Sequence, residues 1–158
     1  MPRRSRSTEV SRIIHASRRK IYRAFLDPAA LVKWLPPGTM TGRMHAFSEG
    51  EGGGYRMSLS YTETDNRPPG KTSADTDTFR VRFVELVPST RIVQAVAFES
   101  SDAALSDEMV MTISLADSGE GTLVRILHEN IPRVVRLEDN ETGTRQSLDQ
   151  LEAFVVAH

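Results

Sequence analysis

The stretch EGEGGGYRMSLSYTE, residues 49–63, places four glycines within five positions directly before a run that alternates between apolar and polar residues. A glycine-rich loop that binds phosphate delivers its backbone N–H groups at the start of a helix. Here the glycines lead into a period-two pattern, which is typical of a strand with one apolar face. The GxGxxG pattern also fails, because position 55 is Tyr, and no GxxxxGKS or GxxxxGKT sequence occurs. Residues 50–54 are therefore predicted to form a hairpin turn.

The same alternation continues through the second part of the chain. It predicts six strands, separated by polar or Gly/Pro turns, at Arg43–Phe47, Tyr55–Tyr61, Thr78–Leu86, Arg91–Glu99, Glu108–Leu115 and Thr122–Glu129. Ahead of them the pattern predicts a strand at Thr8–Ile14 and two short helices at Arg18–Leu26 and Ala29–Leu35. A final helix is predicted over 139–157, with Asp139 as its N-cap. The loop Thr62–Thr76 is predicted to be mobile.

This order of elements predicts an α+β fold. Strands joined by short turns favour an antiparallel sheet, since parallel neighbours need crossovers of about a dozen residues. Alternation gives the sheet one apolar face. The final helix is the only long element able to cover that face, which predicts a two-layer domain.

Length and composition indicate one ordinary globular domain over residues 1–158, with a flexible terminus at residues 1–7. The net charge of -1 predicts no attraction to nucleic acid or membrane, and Arg3, Arg4 and Arg6 are taken as a solvated terminus. No apolar run approaches the ~20 residues of a membrane helix. The absence of cysteine fits a cytoplasmic location. A homodimer is left open, because the sequence gives no signal for the oligomeric state.

Two segments carry a resemblance to a known family. FLDPAALVKWLPPGTMTGRMHAFSEGEGGGYRMSLSY resembles the first half of the activator-of-Hsp90-ATPase-homologue-like family, in the START/Bet v 1-like (SRPBCC) superfamily. LHENIP followed by DNETGTRQSLDQLEAFV resembles its end. The matching features are Asp27-Pro28, Trp34–Pro36, the glycines before Tyr55, and the spacing of Gly143, Leu148 and Leu151. Many relatives have Trp where this chain has Thr144.

The resemblance implies a helix-grip fold. In that fold a strongly curved antiparallel sheet of about seven strands wraps around the long C-terminal helix, two short helices follow the first strand, and a cavity lies between sheet and helix.

The final helix gives an independent reason to expect the cavity. Its inward stripe carries Leu148 and Leu151 in the second half but only Gly143, Thr144 and Ser147 in the first half. Bulky residues would seal the helix to the sheet, whereas small residues leave a gap, unless sheet side chains fill it. The predicted ligand-binding residues are Trp34, Met40, Tyr55, Met57, Leu59, Phe79, Val81, Phe83, Phe98, Met109, Met111, His128, Thr144, Ser147 and Leu148.

No recognisable catalytic motif is present. The sequence has no HExxH, no GxSxG and no His/Asp/Glu cluster at metal-ligand spacing, so neither a metal nor another cofactor is expected. His128 shares strand parity with apolar neighbours, and it is the first weak catalytic candidate, with Tyr55 as the second. Whether the protein is an enzyme stays open.

Three functions remain open at this point. The first is binding of a hydrophobic or lipid-like small molecule in the cavity. The second is a polyketide-cyclase-like enzyme that uses the same cavity, with chemistry supplied by confinement and one or two polar groups. The third is an Hsp90-type co-chaperone, which only the family resemblance implies.

Overall fold

A computed structural model describes residues 6–61, 76–99 and 108–157. The chain folds into seven strands and three helices within these ranges: β1 Ser7–Ile14, α1 Arg18–Phe25, α2 Pro28–Trp34, β2 Thr41–Ser48, β3 Gly54–Ser60, β4 Thr76–Val87, β5 Arg91–Phe98, β6 Met109–Ser118, β7 Gly121–Glu129 and α3 Leu137–Ala157. Apart from Thr76, the predicted mobile loop Thr62–Thr76 lies outside the described residues.

All seven strands form one antiparallel sheet in the order β1-β7-β6-β5-β4-β3-β2. The strands β2 to β7 follow one another as a meander, and β1 adds to the free edge of β7. The sheet packs around α3, so the predicted α+β helix-grip architecture is confirmed.

The two short helices connect the opposite edges of this sheet, because β1 and β2 are its outermost strands. Ser17 caps α1 by accepting from the backbone N–H of Lys20 at 3.2 Å, and Asp27 caps α2 by accepting from Ala29 at 2.9 Å. Pro28 occupies the first turn of α2, where its missing N–H costs nothing. The connection therefore crosses one end of the sheet and closes it.

The glycine-rich stretch is the predicted hairpin turn, here between β2 and β3. Gly50 and Gly52 have φ of +83° and +87°, a region that side chains disfavour. Gly53 is required for a different reason, since a Cβ there would lie 2.3 Å from the backbone oxygen of Ser48. The Gly52 N–H also donates to the Phe83 carbonyl at 2.8 Å, so the turn rests against β4.

The core lies between the inner face of the sheet and α3. Inward residues of each strand alternate with outward ones, as along β4, where Phe79, Val81 and Phe83 are buried. The helix α3 begins at Leu137, two residues before the predicted start, and Asp139 lies in its first turn instead of capping it.

The described part of the N-terminus is held in place. Ser7 pairs with Glu129 at the start of β1, and the Arg6 guanidinium donates to the carbonyls of Pro132 and Val135 at 2.5 and 2.8 Å. Arg6 and Ser7, the described part of the terminus predicted to be flexible, thus contact β7 and the loop that follows it. None of the helices, as far as the described ranges go, has the length and apolarity to cross a membrane.

Candidate functional site

A cavity of about 220 Å³ lies between the inner face of the sheet and the first half of α3. Its walls come from β3 to β7, from the helices α1 and α2, and from the start of α3. Most of the lining is apolar and aromatic, including Phe25, Trp34, Phe79 and Phe98. A buried concave space of this composition is the usual setting for a small-molecule site.

Small residues on α3 border the cavity, as the sequence predicts. Gly143, Thr144 and Ser147 all line it. The Thr144 hydroxyl donates to the carbonyl of Asn140 at 2.7 Å, and the Ser147 hydroxyl donates to the carbonyl of Leu35 at 2.7 Å. Both hydroxyl protons are used within the protein, so towards the space these side chains offer apolar atoms and oxygens that can only accept.

The segment after α2 is pinned against α3 at one side of the cavity. Gln150 donates to the carbonyls of Trp34 and Pro36 at 2.7 and 2.6 Å, and its oxygen accepts from the N–H of Gly38 at 2.9 Å. Pro37, which lines the cavity, lies within this clamp. The clamp fixes that wall, so the space is preformed.

The β7–α3 loop and the first turn of α3 form another part of the cavity wall. Val135 and Asp139 line the space, and Asp139 is exposed. The Arg6 bonds to this loop keep it in position. Because Asp139 is exposed and lines the space, the cavity reaches the surface beside the first turn of α3.

Two polar side chains and a methionine lie in a row across the inner face of the sheet. His128 on β7, Met111 on β6 and Gln94 on β5 face one another across adjacent strands. The Gln94 amide donates to the Met111 sulfur at 3.4 Å, and it also forms a side-chain hydrogen bond with the Tyr55 hydroxyl. All four residues line the cavity, so its floor combines apolar surface with a few placed polar groups.

His128 is the least satisfied of these groups. Its side chain is 7% exposed, and its Nδ1 is the only buried side-chain nitrogen or oxygen without a hydrogen-bond partner in the part of the chain that the structure describes. Burial lowers the pKa of His128 to about 4, so the imidazole is neutral at pH 7. A neutral imidazole accepts at one nitrogen and donates at the other.

Tyr55, the second catalytic candidate, is 6% exposed and stacks on Phe47 with ring centroids 6.0 Å apart. Burial raises the pKa of its hydroxyl, and the hydrogen bond with Gln94 only partly opposes this effect. The hydroxyl therefore keeps its proton at neutral pH.

The structure brings together eleven of the fifteen residues predicted to bind a ligand. They line the cavity from the sheet, from α2 and from α3: Trp34, Tyr55, Leu59, Phe79, Val81, Phe98, Met109, Met111, His128, Thr144 and Ser147.

The other four lie outside the lining. Met57 packs over Gly42, where a Cβ would come within 2.5 Å of its methyl group. Phe83 packs edge-on against Phe47, with ring centroids 6.1 Å apart. Leu148 is 1% exposed within the packed part of α3, and Met40 lies in the turn before β2.

The sequence predictions missed several lining residues. Gln94 and Asp77 are polar residues on inward faces, and strand parity with Val96 and Phe79 is the signal that could have identified them. Asn140 lies one turn before Thr144, so the helix period points to it. Val96 and Ile126, which share strand parity with Phe98 and His128, and Asp139 on α3 were missed as well. Further missed residues come from helices and loops whose position depends on tertiary packing: Phe25, Leu31, Leu35, Pro37 and Val135.

The outer face of the sheet carries the other polar groups. Arg56 and Arg80 both pair with Glu99, and these bonds, led by that of Arg56, lower the pKa of Glu99 to about 2. His45 is exposed there and contacts the Ser58 hydroxyl at 2.7 Å. No three His, Asp or Glu side chains within residues 6–61, 76–99 and 108–157 come together as a metal site.

Comparison with known families gives one match, to the family described as Activator of Hsp90 ATPase homolog 1-like protein, over residues 15–155. The matched range covers nearly the whole domain. The chain therefore belongs to this family.

Solved structures share the fold. Protein CV1439 of Chromobacterium violaceum is 34% identical, with a TM-score of 0.81, over 94% of this chain and 96% of that one. Protein Ms6760 of Mycobacterium smegmatis is 12% identical, with a TM-score of 0.76, over 96% and 91% of the two chains.

A third similar structure is DynU16, a protein of the dynemicin biosynthetic locus. It is 14% identical with a TM-score of 0.67, over 95% of this chain and 47% of that one, so the likeness concerns the fold of about half of DynU16. A search of the curated proteins gave no match.

Proposed function

We propose that this member of the Activator of Hsp90 ATPase homolog 1-like family binds a compact hydrophobic molecule between its sheet and the first half of α3. The observation that carries the proposal is the preformed apolar cavity of about 220 Å³. An apolar cavity of about 150 Å³ is large enough to hold benzene. Drug-sized ligands occupy pockets of about 300–1,000 Å³. The predicted occupant therefore has the size of one or two fused rings.

The protonation states of the polar groups favour binding over proton-transfer chemistry. Burial keeps His128 neutral with a pKa of about 4, which makes it a weak base. Burial raises the pKa of Tyr55, which makes its hydroxyl a weak acid at pH 7. General acid–base catalysis works best with groups whose pKa lies near the working pH. Neither group meets that condition.

A cyclase-like enzyme is the second candidate. It is supported by the shared fold of DynU16, from a biosynthetic locus, and by the presence of His128 and Tyr55 in one cavity. In such an enzyme the walls would fold a flexible substrate, and the two polar groups would orient its carbonyls. The co-chaperone function is supported by the family description alone and stays a prediction.

The binding proposal is tested with naphthalene as a neutral two-ring probe. Trp34 is the only tryptophan of the chain and lines the cavity, so its indole N–H signal in a ¹H–¹⁵N spectrum reports occupancy. Saturable shifts of this signal, together with a matching calorimetric isotherm, are expected. Native mass spectrometry of freshly purified protein then looks for a molecule that co-purifies.

A matched pair of variants shows where the probe binds. Thr144→Trp fills the space, whereas Thr142→Trp places the same ring on the exposed side of the same helix. Binding should be lost in the first variant and kept in the second. Absence of any naphthalene binding to the parent protein, or equal binding by both variants, would refute the cavity as the site.

A further inference from the structure

His128 is the feature of the cavity that packing alone leaves unexplained. Buried polar groups in folded proteins almost always have a hydrogen-bond partner, so an exception calls for a specific reason. Within the described residues, Nδ1 of His128 is the one buried side-chain polar atom that lacks such a partner. Met111 lies opposite His128 on β6. It offers only a thioether sulfur, which already accepts a hydrogen bond from Gln94.

The surroundings of His128 place this group at the end of the cavity near the start of α3. Thr8 lies opposite His128 on β1, and its hydroxyl donates to the side-chain oxygen of Asn140. Asn140 also lines the cavity. His128 and Asn140 therefore make this end of the cavity polar, while most of the remaining lining is apolar.

The charges around the cavity limit what that polar end can be. Asp77 and Asp139 line the space, while Lys and Arg are missing from its lining among the described residues. An anionic ligand would find no cation in the described lining to pair with, which is unfavourable for a charge that is taken out of water. The imidazole itself is uncharged at pH 7 and suits an uncharged partner.

We infer that the ligand is a compact neutral amphiphile, whose apolar body fills the cavity and whose single hydroxyl or carbonyl group hydrogen-bonds to the imidazole of His128. This inference rests on the proposed binding function and names its ligand class. In the orientation shown, Nδ1 has almost no accessible surface. A half-turn of the ring about its Cβ–Cγ bond exchanges Nδ1 with Cδ2 and leaves the ring in the same plane, which turns the nitrogen to the other side.

Three probes with the same body test this ligand class at pH 7: naphthalene, 2-naphthol and 2-naphthoate. The quantity measured by calorimetry is the ratio of the naphthalene Kd to the 2-naphthol Kd. We expect His128→Leu to lower this ratio about tenfold, the size of one net hydrogen bond. His128→Asn, which retains a polar group near the position of Nδ1, should restore part of it. The charged 2-naphthoate should bind at least about tenfold more weakly than 2-naphthol.

Two controls keep the test decisive. His15→Leu removes an exposed histidine and should leave the ratio unchanged. In the parent protein, 2-naphthol should shift the ring-nitrogen NMR signals of His128 by much more than naphthalene does, a measurement that needs no variant.

The outcomes separate the two proposals. If no probe binds, the binding function itself fails. If naphthalene binds but the ratio is the same in parent and His128→Leu, or 2-naphthol shifts the ring nitrogens no more than naphthalene does, an ordered water or another group satisfies His128 and the inferred ligand class is overturned. Tight binding of 2-naphthoate would overturn its neutrality.

Discussion

The two halves of α3 use the same helix face in opposite ways. The second half inserts Leu148, Leu151 and Val155 into the core, each at most 1% exposed. The first half presents Gly143, Thr144 and Ser147 on the continuing stripe, and the cavity lies there. One helix thus seals the domain at one end and leaves a space at the other.

The difference indicates that side-chain volume along one stripe decides where the helix leaves a space beside the sheet. Ser147 and Gln150 on α3 donate to the carbonyls of Leu35 and Trp34, so these bonds tie the helix to the end of α2 beside the cavity. These bonds satisfy backbone groups that would otherwise be buried without partners. The same contacts therefore border the cavity and support the fold.

Shortening a buried side chain in the second half of α3 should have the largest effect on stability. Leu151 is fully buried, so Leu151→Ala should lower the free energy of unfolding by about 2–5 kcal/mol, through lost burial and a new cavity. Urea denaturation followed by circular dichroism measures this change. Val156→Ala, at a position 62% exposed on the same helix, is the control and should cost less than about 0.5 kcal/mol. Equal midpoints for the parent and Leu151→Ala would mean that α3 docks by another face.

The stability of the domain should depend on pH because of His128, which lines the cavity from β7. The pKa of His128 is about 4 in the folded protein, below the ordinary value of 6.5, so the unfolded chain binds more protons between these values. Stability is therefore expected to fall as the pH drops from about 6.5 to 4, by roughly 3 kcal/mol.

Denaturation midpoints at several pH values measure this loss, and the variant His128→Leu isolates the histidine. Its unfolding free energy should change less over the same interval, because no buried group is forced to take up a proton. If parent and variant show the same slope, other groups set the pH dependence and His128 is not the cause.

Filling the space beside the first half of α3 tests directly whether the two halves of the helix differ in packing. Thr144→Trp adds apolar volume where space is unused, so stability should hold or rise while naphthalene affinity falls at least about tenfold. Overpacking of a filled core would instead cost about 1–3 kcal/mol. Calorimetry of binding and urea denaturation are run together on the same variant. A destabilised Thr144→Trp, with no naphthalene binding by the parent, would show that the first half is packed as well.

The smallest effect is expected at Gly143. A Cβ there would lie 4.0 Å from Pro37, an ordinary contact distance. Gly143→Ala should therefore raise stability by about 0.5–1 kcal/mol, because alanine loses less backbone freedom in a helix than glycine. Urea midpoints measure the gain. A loss of stability would mean that α3 and the Pro37 segment tolerate no added atom.

The fold followed closely from local patterns. Alternation along β3 and β4 identified both strands and their inward faces, and the glycines before Tyr55 identified the turn. Family resemblance supplied the helix-grip arrangement, which the family match and the sheet topology confirm. The helix boundary at Leu137 was missed, because Asp139 resembles a cap although it lies inside the first turn.

The residues of the candidate site could be predicted less completely from the sequence. Parity placed Phe79, Val81 and His128 on the inner face, but parity does not give the depth at which a side chain ends. Met57 and Phe83 share that face, and yet neighbouring groups cover them. Phe25 and Pro37 reach the cavity only because α1, α2 and the following segment cross the end of the sheet.

The sequence by itself determined which residues face inward, where the chain turns and where small residues replace large ones on α3. These are local properties, set by the periods of 2 and 3.6 residues and by the size of each side chain. The tertiary structure alone decided which inward residues border a space and which polar groups remain without partners. Neither property belongs to a single segment. The space beside a side chain, and the lack of a partner for Nδ1 of His128, depend on strands, helices and loops that are far apart in the chain.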